Sequence, residues 1–474
     1  MKFLDRQAEM RRLVRLHEEG RGGFVAVWGR RRIGKSELMK AWCRATGGLY
    51  AVADRSLSAV QRQDFAQLVE SRFTGFSAVT YPTWKSLFDE LARRAAAEKW
   101  HGPVVFDEFP YWVEADASIV SVLQNWIDGE KAKNGLLVAI AGSSQHMMQG
   151  LVIDSGSPLY GRCDERIRLP PLEVGFIREG LRLRDPLDAV RAYSIWGGVP
   201  RYWVAVERYG RNLDDALDEQ ALDPLGLFHD EPATILQSEI PTAISLKPYL
   251  DVIGSGARRV SEIAGRLGVS ATALSKPLAR LLELGLVSRE VPYGESEKSS
   301  KKSLYRVCDP FCRFWFKVIA SRRSVLDSAP AAIRKSIWQA QSNALFAEGW
   351  EDLARAFVAQ SPQLMALAGD GDYWRPAGRW WQGTAHELDV VSFNGAGTRT
   401  LMGEVKWSHR AFLRREVESL AKAFASIPVP PGFPQDVTRV LFLSSVARDV
   451  PRQVEGLEVL TAADVLPTTR PARA

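Results

Sequence analysis

The residues with the clearest chemical signature form the segment Gly29-Arg-Arg-Arg-Ile-Gly34-Lys35-Ser36. The segment matches the pattern GxxxxGK[ST], and it stands between an apolar run, Phe24 to Trp28, and a helical pattern, Glu37 to Arg44. Glycines let the backbone wrap phosphates, and the start of a helix adds partial positive charge. We expect Lys35 to reach the β and γ phosphates of ATP and Ser36 to bind Mg²⁺. The segment therefore predicts a P-loop.

A second apolar run ends in two carboxylates, in the sequence Val104-Val-Phe-Asp107-Glu108. In a P-loop protein, a carboxylate at this point holds Mg²⁺ through water, and a second one polarises the attacking water. Asp107 suits the first role and Glu108 the second. A strand that merely ends in two solvated acids is the alternative, but it is a poor explanation beside a P-loop. The pair predicts hydrolysis as well as binding of ATP.

Three further features suit the same site, and each has an alternative reading. Ser143 follows the apolar run Leu136 to Ala141, where it would act on the γ-phosphate or the water, or else cap the next helix. Arg162 is either an arginine finger, in cis or in trans, or part of a surface salt bridge. The arginines inside the loop either contact phosphate or are solvated. These three are Arg30, Arg31 and Arg32.

Basic charge is concentrated in one part of the chain, residues 255–306, which hold ten Lys or Arg against five Glu. Two short helical patterns there are joined by Gly268-Val269-Ser270 and followed by a polar stretch, which is the order of a winged helix. The second helix would expose side chains suited to base edges and phosphates, and the wing would add cations. The helix candidates are Thr272, Ser275, Lys276 and Arg280, and the wing candidates are Lys298, Lys301, Lys302 and Arg306. Duplex DNA is the predicted partner, with protein docking as the alternative.

Acids and one lysine also recur near the end of the chain. Asp389 lies on one predicted strand, and Glu404-x-Lys406 lies on the next, so that Glu404 and Lys406 share a face. Two acids on one divalent ion, with an amine beside the attacked phosphate, would suit phosphodiester cleavage. Solvated acids on an edge strand are the alternative. The arrangement predicts a second Mg²⁺ or Mn²⁺, with Lys406 as a catalytic residue.

This pattern resembles the PD-(D/E)xK nuclease core. The resemblance adds Glu351 on the preceding helix as a further metal ligand, with Glu348 as its rival. The Pro-Asp dipeptide of that family's name is absent, because Leu388 precedes Asp389.

Composition limits the remaining choices. The 474 residues are 46% hydrophobic and 25% charged, with a net charge of +6, which is typical of a multidomain globular protein. The four cysteines and six histidines form no recognisable zinc pattern. No apolar run is long enough to span a bilayer, and the first residues lack the apolar core of a signal peptide, so we expect a cytoplasmic location without membrane contact.

The elements that must position these residues are of several kinds, and they predict an α/β fold class. We expect a P-loop NTPase core with a parallel sheet, a helical lid, a winged helix-turn-helix and a C-terminal α/β restriction-nuclease-like domain. The predicted boundaries are 1–171 for the core, 172–250 for the lid, 251–308 for the winged helix, 309–340 for a helical connector and 341–474 for the nuclease-like domain.

The motifs resemble, in order, those of the archaeal-type ATPases of the AAA+/STAND group. The matching segments are Phe3-Leu-Asp-Arg6-Gln-Ala-Glu9, GRRRIGKS, VVFDE, GSS, PLYGR and WGGVPRY. The resemblance covers about the first 250 residues and implies that Phe3 to Arg6 lie beside the adenine, that Gly197 to Pro200 contact the nucleotide from the lid, and that Ser143 is a sensor. The residues expected to bind nucleotide are Phe3, Arg6, Gly29, Arg30, Arg31, Arg32, Ile33, Gly34, Lys35, Ser36, Glu37, Gly198 and Pro200.

Two functions remain open at this point. In the first, ATP turnover controls DNA engagement and cleavage. In the second, the chain is a regulatory or scaffold NTPase whose winged helix and inactive tail bind protein partners, including further copies of itself.

Overall fold

The structure is a computed structural model. It describes residues 3–129, 135–210, 212–239, 245–296, 302–383 and 386–467. No helix among these residues has both the length and the apolar character needed to cross a membrane.

The first part of the chain contains a parallel sheet of five strands in the order β2-β3-β4-β1-β5. The strands are β1 Gly23–Trp28, β2 Leu49–Val52, β3 Val104–Asp107, β4 Leu137–Gly142 and β5 Glu165–Arg168. Every residue of β1, β3 and β4 is buried, as expected for a parallel sheet covered on both faces. Sequence analysis predicted these central strands but not β2 and β5. The edge strands are short and alternate between buried and less buried residues, so they lack a continuous apolar run.

Helices cover both faces of this sheet, with a separate apolar cluster on each side. They are α1 Gln7–Glu18, α2 Lys35–Thr46, α3 Ser58–Glu70, α4 Trp84–Ala97, α5 Phe109–Ala115, α6 Ser118–Gly129 and α7 Gln145–Val152.

The middle of the chain is helical, as predicted, and ends in a two-stranded antiparallel hairpin. The helices before the hairpin are α8 Ile177–Gly180, α9 Pro186–Trp196, α10 Pro200–Val206, α11 Leu213–Leu217, α12 Glu231–Glu239, α13 Lys247–Gly254, α14 Val260–Leu267 and α15 Ser275–Glu283, and the hairpin is β6 Val287–Glu290 with β7 Leu304–Val307. Short 3-10 turns at Val174–Phe176, Glu207–Tyr209 and Ala271–Leu274 and a π turn at Asp218–Leu222 complete this part. Gly268 closes α14 in the left-handed conformation, with φ +65°, where glycine has no Cβ penalty.

The last part contains a six-stranded mixed sheet in the order β12-β13-β11-β10-β9-β8. Strands β8, β9 and β10 form an antiparallel meander, and β11 lies parallel to β10 after a helical crossover. The strands are β8 Gly378–Gln382, β9 His386–Phe393, β10 Arg399–Lys406, β11 Asp436–Leu443, β12 Gln453–Val454 and β13 Leu457–Thr461. The helices are α16 Pro310–Phe314, α17 Arg323–Leu326, α18 Ala331–Val358, α19 Pro362–Met365, α20 Arg414–Ala425 and α21 Ala462–Val465, with Trp315–Ile319 as a π turn and Ala320–Arg322 as a 3-10 turn.

Two helices cross boundaries that sequence analysis placed between domains. Helix α13 spans the 250/251 boundary, and α18 runs unbroken through the 340/341 boundary. The physical reason is visible in the packing, because one apolar cluster extends from Leu172 to Leu466 and joins the lid, the hairpin region and the tail. The ATPase core therefore faces a downstream half that packs as one body.

Candidate functional site

The P-loop is shaped by two glycines in different ways. A Cβ on Gly29 would lie 2.6 Å from the Leu169 carbonyl oxygen, so the close approach of β1 to the chain after β5 excludes a side chain. Gly34 has φ +95° and precedes the first residue of α2, in a conformation that disfavours other residue types. The loop can therefore turn sharply from the end of β1 into the start of α2.

Lys35 lies inside this loop rather than in solvent. Its ammonium donates to the carbonyl oxygens of Gly29 at 2.8 Å and Arg30 at 3.1 Å, and the side chain is buried. A buried cation held by neutral carbonyls at the N-terminus of a helix is placed to meet an anion.

Ser36 and Asp107, the two magnesium ligands predicted from the sequence, lie side by side at the carboxyl end of the parallel strands. Ser36 Oγ donates to Asp107 Oδ2 at 2.6 Å, and the hydroxyl of Tyr50 on β2 donates to the same oxygen. A hydroxyl and a carboxylate side by side suit Mg²⁺, which keeps several of its waters. Tyr50 was missed from the sequence, because a lone tyrosine on a short edge strand carries no recognisable signal.

Glu108 is paired with Ser143. Ser143 Oγ lies 2.8 Å from both carboxylate oxygens of Glu108, and the Ser143 backbone N–H donates to Oε2 at 3.2 Å. The pairing follows from strand order, since β4 lies directly beside β3 and both strands end at the same edge. The cap of α7 is Ser144, whose side chain accepts from the Met147 N–H. The sequence left two roles open for Ser143, and the structure divides them between two adjacent serines. Ser143 bonds to Glu108, whereas Ser144 caps α7.

The N-terminal segment lies against the loop through Arg6. Its guanidinium is 3% exposed and donates to the carbonyl oxygens of Ile33 at 3.2 Å and Pro170 at 2.6 Å. Burial lowers the pKa of Arg6, and the nearby charge of Glu9 opposes that shift. Phe3, in contrast, is 41% exposed.

The glycine-rich lid segment is fixed by close backbone packing. A Cβ on Gly198 would lie 2.3 Å from the Leu172 carbonyl oxygen, and Pro200 lies 3.7 Å from the Cβ position of Gly34. Pro200 of the lid therefore lies beside the loop at Gly34.

The loop arginines have different surroundings. Arg30 donates to Asp309 at 2.5 Å, and Arg32 forms an ion pair with Glu231. Arg31 is exposed, and in the ranges that the structure covers it forms no ion pair. Glu37, at the start of α2, is exposed and lies 3.5 Å from Lys40. Asp309 and Glu231 were missed, because nothing in the sequence links them to a loop some 200 or more residues earlier.

A cleft of about 1340 Å³ opens beside the loop. Its walls include Ile33 from the loop, Val199 from the lid and Phe357 from α18. The nucleotide region is thus bordered by the tail as well as by the lid.

Arg162 does not reach these groups within its own chain. Its guanidinium makes two bonds to Asp128, at 2.7 and 2.9 Å, which is the surface salt bridge that the sequence left as the alternative.

Some of the side chains predicted to contact DNA are exposed, and the others form ion pairs within the protein. Thr272, Ser275 and Lys276 are exposed at the start of α15 and the turn before it. The others that the structure describes are engaged in ion pairs: Arg280 with Glu283 at 2.8 Å, Lys302 with Glu295, and Arg306 bidentately with Asp352 at 2.7 and 2.9 Å. Lys298 and Lys301 lie outside the described residues. Arg306 joins the hairpin to the tail, so we leave it out of the DNA surface proposed below.

The tail brings its predicted residues within electrostatic range of each other. Asp389 Oδ2 accepts from the Val405 N–H at 2.9 Å, and Lys406 forms an ion pair with Glu404. Burial and then the charge of Glu404 raise the pKa of Asp389, whereas burial and then the charge of Asp389 raise the pKa of Glu351. Glu351 is paired with Arg355 at 3.4 Å and its rival, Glu348, with Lys317, so ion pairing does not distinguish the two acids.

The acids of the tail affect one another's pKa but do not form a preassembled metal site among the described residues. Within the described ranges, no group of three or more His, Cys, Asp or Glu side chains is arranged to hold a metal ion. Any ion at Asp389 and Glu404 would therefore rely on few protein ligands and on water, which is common for Mg²⁺.

Two family models match this chain, one in its first part and one in its tail. Residues 3–206 match a family described as an ATPase domain predominantly from Archaea, and residues 315–420 match one described as archaeal and bacterial proteins of unknown function. An uncharacterized protein of Methanocaldococcus jannaschii is 25% identical over 405 residues, which cover 85% of this chain and 87% of that protein. The solved structure of a Walker-type ATPase of Pyrococcus abyssi has a TM-score of 0.52 at 19% identity, covering 67% of this chain and 96% of that one.

The chain carries an archaeal-type P-loop ATPase domain. The match over residues 3–206 contains the P-loop, Asp107, Glu108 and Ser143, which the fold brings together at one sheet edge. The likeness to the Pyrococcus abyssi protein shows a shared fold. The α/β class and the nucleotide-binding role predicted from the sequence are confirmed at this level.

Proposed function

We propose that the protein hydrolyses ATP with Glu108 and Ser143 and uses its nucleotide state to control the binding of duplex DNA by α15 and the turn before it. The observation that carries the proposal is the position of α15. Its start presents Thr272, Ser275 and Lys276 to solvent, and its far end approaches the ATPase core.

The approach of α15 to the core is close. A Cβ on Gly285, just after the helix, would lie 3.6 Å from Nη2 of Arg168 on β5. Burial and the charge of Arg280 together lower the pKa of His146 on α7. Movement of the ATPase core can therefore reach the helix that would contact DNA.

The order of elements supports the DNA assignment. Three helices, α13 to α15, precede the hairpin β6–β7, which matches the layout of a winged helix. Polar residues at the start of the last helix suit base edges and phosphates in a major groove.

The competing function is a scaffold NTPase, and one observation favours it. The loop of the hairpin already packs on the tail, where Tyr293 donates its backbone N–H to the Arg379 carbonyl oxygen at 2.8 Å and its hydroxyl accepts from the Phe393 N–H at 3.0 Å. A wing used for protein contacts is less free to follow a DNA backbone.

Salt-dependent DNA binding separates these two functions. We expect wild-type affinity for duplex DNA, measured by fluorescence anisotropy, to fall as salt rises. Lys276→Ala with Arg280→Ala should weaken binding and reduce the salt slope by about one unit for each phosphate that the protein no longer neutralises. Lys85→Ala, an exposed lysine of the core, is the matched control. Identical slopes in all three proteins, or no DNA binding at all, would favour the scaffold function.

A metal-dependent phosphodiesterase in the tail is a second candidate. It is favoured by the path of the chain, in which α18 with Glu351 precedes a β8-β9-β10 meander with Asp389, Glu404 and Lys406, and α20 then leads to β11 parallel to β10. Burial lowers the pKa of Lys406, but the charges of Glu404, Asp389 and Glu351 raise it, and the net shift is upward. Mn²⁺-dependent nicking of plasmid DNA that Asp389→Asn abolishes is the expected result, and nicking that persists in this variant would exclude the site.

A further inference from the structure

Two arginines of the P-loop contact carboxylates in the downstream half of the protein. Arg30 donates to Asp309 Oδ2 at 2.5 Å and lies 3.3 Å from the hydroxyl of Tyr202. Asp309 caps α16, because its other oxygen accepts from the Cys312 N–H at 2.8 Å. The loop is thereby tied to the segment that follows β7.

Arg32 makes an equivalent contact with a different segment. It forms an ion pair with Glu231 at the start of α12, and its guanidinium lies 5.7 Å from the centre of the Phe228 ring. Tyr202 donates its hydroxyl to Glu231 at 2.9 Å. The two ion pairs are therefore joined through Tyr202 into one chain of polar contacts, Asp309-Arg30-Tyr202-Glu231-Arg32.

Most of this chain of contacts is enclosed by protein. The side chains of Asp309 and Glu231 are 4% and 1% exposed, whereas Arg30 is 12% and Arg32 24% exposed. Removing one charged member would leave an opposite charge largely buried without its partner, which is unfavourable. These contacts should therefore contribute more than a set of surface ion pairs.

The loop backbone depends on the same contacts. Arg32 has φ +69°, in the left-handed region that non-glycine residues rarely adopt. Such a conformation costs free energy and persists where the surroundings fix it. The surroundings here are Glu231 and Phe228, which hold the Arg32 side chain two residues before Gly34.

We propose that Asp309 and Glu231 are positioning residues for nucleotide binding, acting through Arg30 and Arg32 to hold the P-loop in the conformation that receives phosphate. The sequence suggested phosphate or solvent as partners of these arginines, but the geometry gives each a carboxylate from the other half of the chain. Nucleotide affinity therefore depends on the placement of α12 and of the turn after β7. The inference rests on the proposed function only in taking ATP as the ligand.

The test uses the full chain and compares the four members of the two ion pairs with an arginine outside the loop. Arg30→Ala, Arg32→Ala, Asp309→Asn and Glu231→Gln are measured for ATP dissociation constant, KM and kcat, with Arg44→Ala, an exposed arginine on α2, as the matched control. We expect the dissociation constant and KM to rise about tenfold in the first four, with kcat within about threefold of wild type, because ground-state placement is lost. Arg44→Ala should resemble wild type.

Two further variants distinguish positioning from general damage. Arg30→Ala combined with Asp309→Asn should be no worse than either single change, since the same contact is removed twice. Arg30→Lys should recover part of the affinity, because an amine can still pair with Asp309. Circular dichroism and melting without nucleotide verify that each variant is folded.

Specific outcomes would overturn the proposal. One is an affinity change in the arginine variants but none in Asp309→Asn and Glu231→Gln, which would mean that the arginines contact phosphate themselves. Another is equal behaviour of the four variants and Arg44→Ala. Absence of turnover in wild type with normal ATP binding would instead count against the proposed hydrolysis, because the dissociation constants are measured without it.

Discussion

The nucleotide site and the tail site both place a lysine near carboxylates at strand ends, but they balance charge differently. In the nucleotide site, Lys35 is held by carbonyl oxygens and Asp107 by the hydroxyls of Ser36 and Tyr50. In the tail, Lys406 is paired directly with Glu404, and burial followed by the charge of a neighbouring carboxylate raises the pKa of both Asp389 and Glu351. In the first site the lysine donates hydrogen bonds to neutral groups and Asp107 accepts them from neutral groups, whereas in the second the lysine is paired with a carboxylate and neighbouring acids raise each other's pKa.

This difference has a chemical meaning. Neutral donors hold a site in shape before a ligand arrives, so little reorganisation is needed on binding. Repulsion between close carboxylates is relieved by a cation or by a proton. Ligand binding should therefore change the nucleotide site little, whereas the tail site should respond strongly to metal and to pH.

The largest expected effect is at Lys35. Lys35→Ala removes the cation from a loop built around it, and we expect ATP binding to be lost within the measurable range. Calorimetry with ATP and Mg²⁺ is the measurement, and Lys85→Ala, which changes an exposed lysine of the same domain, should bind as wild type does. ATP binding of wild-type strength in Lys35→Ala would contradict the assignment of the loop.

The second effect separates binding from turnover. Glu108→Gln should leave the ATP dissociation constant nearly unchanged and lower kcat by about 100-fold or more, because the glutamate serves the attacking water. Ser143→Ala, which removes the hydroxyl bonded to Glu108, should have a smaller effect on kcat, about tenfold. Equal turnover by wild type and Glu108→Gln would exclude the role given to this residue.

The contrast also explains what could be predicted from sequence. The P-loop and the Asp107-Glu108 strand are continuous segments whose backbone geometry the pattern itself defines, so their residues and their meeting at one edge were predictable. The apolar runs of the tail also predict strands near 387–393, 400–405 and 438–444, and β9, β10 and β11 begin and end within two residues of these ranges.

The residues that escaped prediction act across long sequence distances. Tyr50 reaches Asp107 from a neighbouring strand, and Asp309 and Glu231 reach the loop from the other half of the chain. Arg306 was predicted as a DNA contact from its charge alone, yet it pairs with Asp352 on α18. A single sequence identifies the charge of a residue, but the partner is decided by packing between segments.

The third effect concerns metal in the tail. We expect the full chain, in a Lys35→Ala background that excludes nucleotide, to bind Mn²⁺ in calorimetry, and Asp389→Asn to weaken that binding by about 100-fold, because it removes a charged ligand. Asp436→Asn is the matched control, since Asp436 is an exposed acid of the same sheet paired with Arg399 at 2.8 Å. Unchanged Mn²⁺ binding in Asp389→Asn would remove the tail from consideration as a metal site.

The smallest effect is on stability, and its sign depends on metal. Because the pKa of Asp389 is raised in the folded protein by burial and then by Glu404, ionisation of this group opposes folding. The contribution of Asp389 to metal-free stability should therefore be fully present below the ordinary carboxylate pKa and should be lost as pH rises through the raised value. Asn carries no charge and can still accept from the Val405 N–H, so Asp389→Asn should melt slightly above wild type at neutral pH without metal. With Mn²⁺ the order of the two melting temperatures should reverse, because bound metal stabilises only wild type.

Melting curves across pH, with Asp436→Asn for comparison, provide the measurement. A lower melting temperature of Asp389→Asn under every condition would mean that Asp389 is a structural acid and that the tail site resembles the nucleotide site after all.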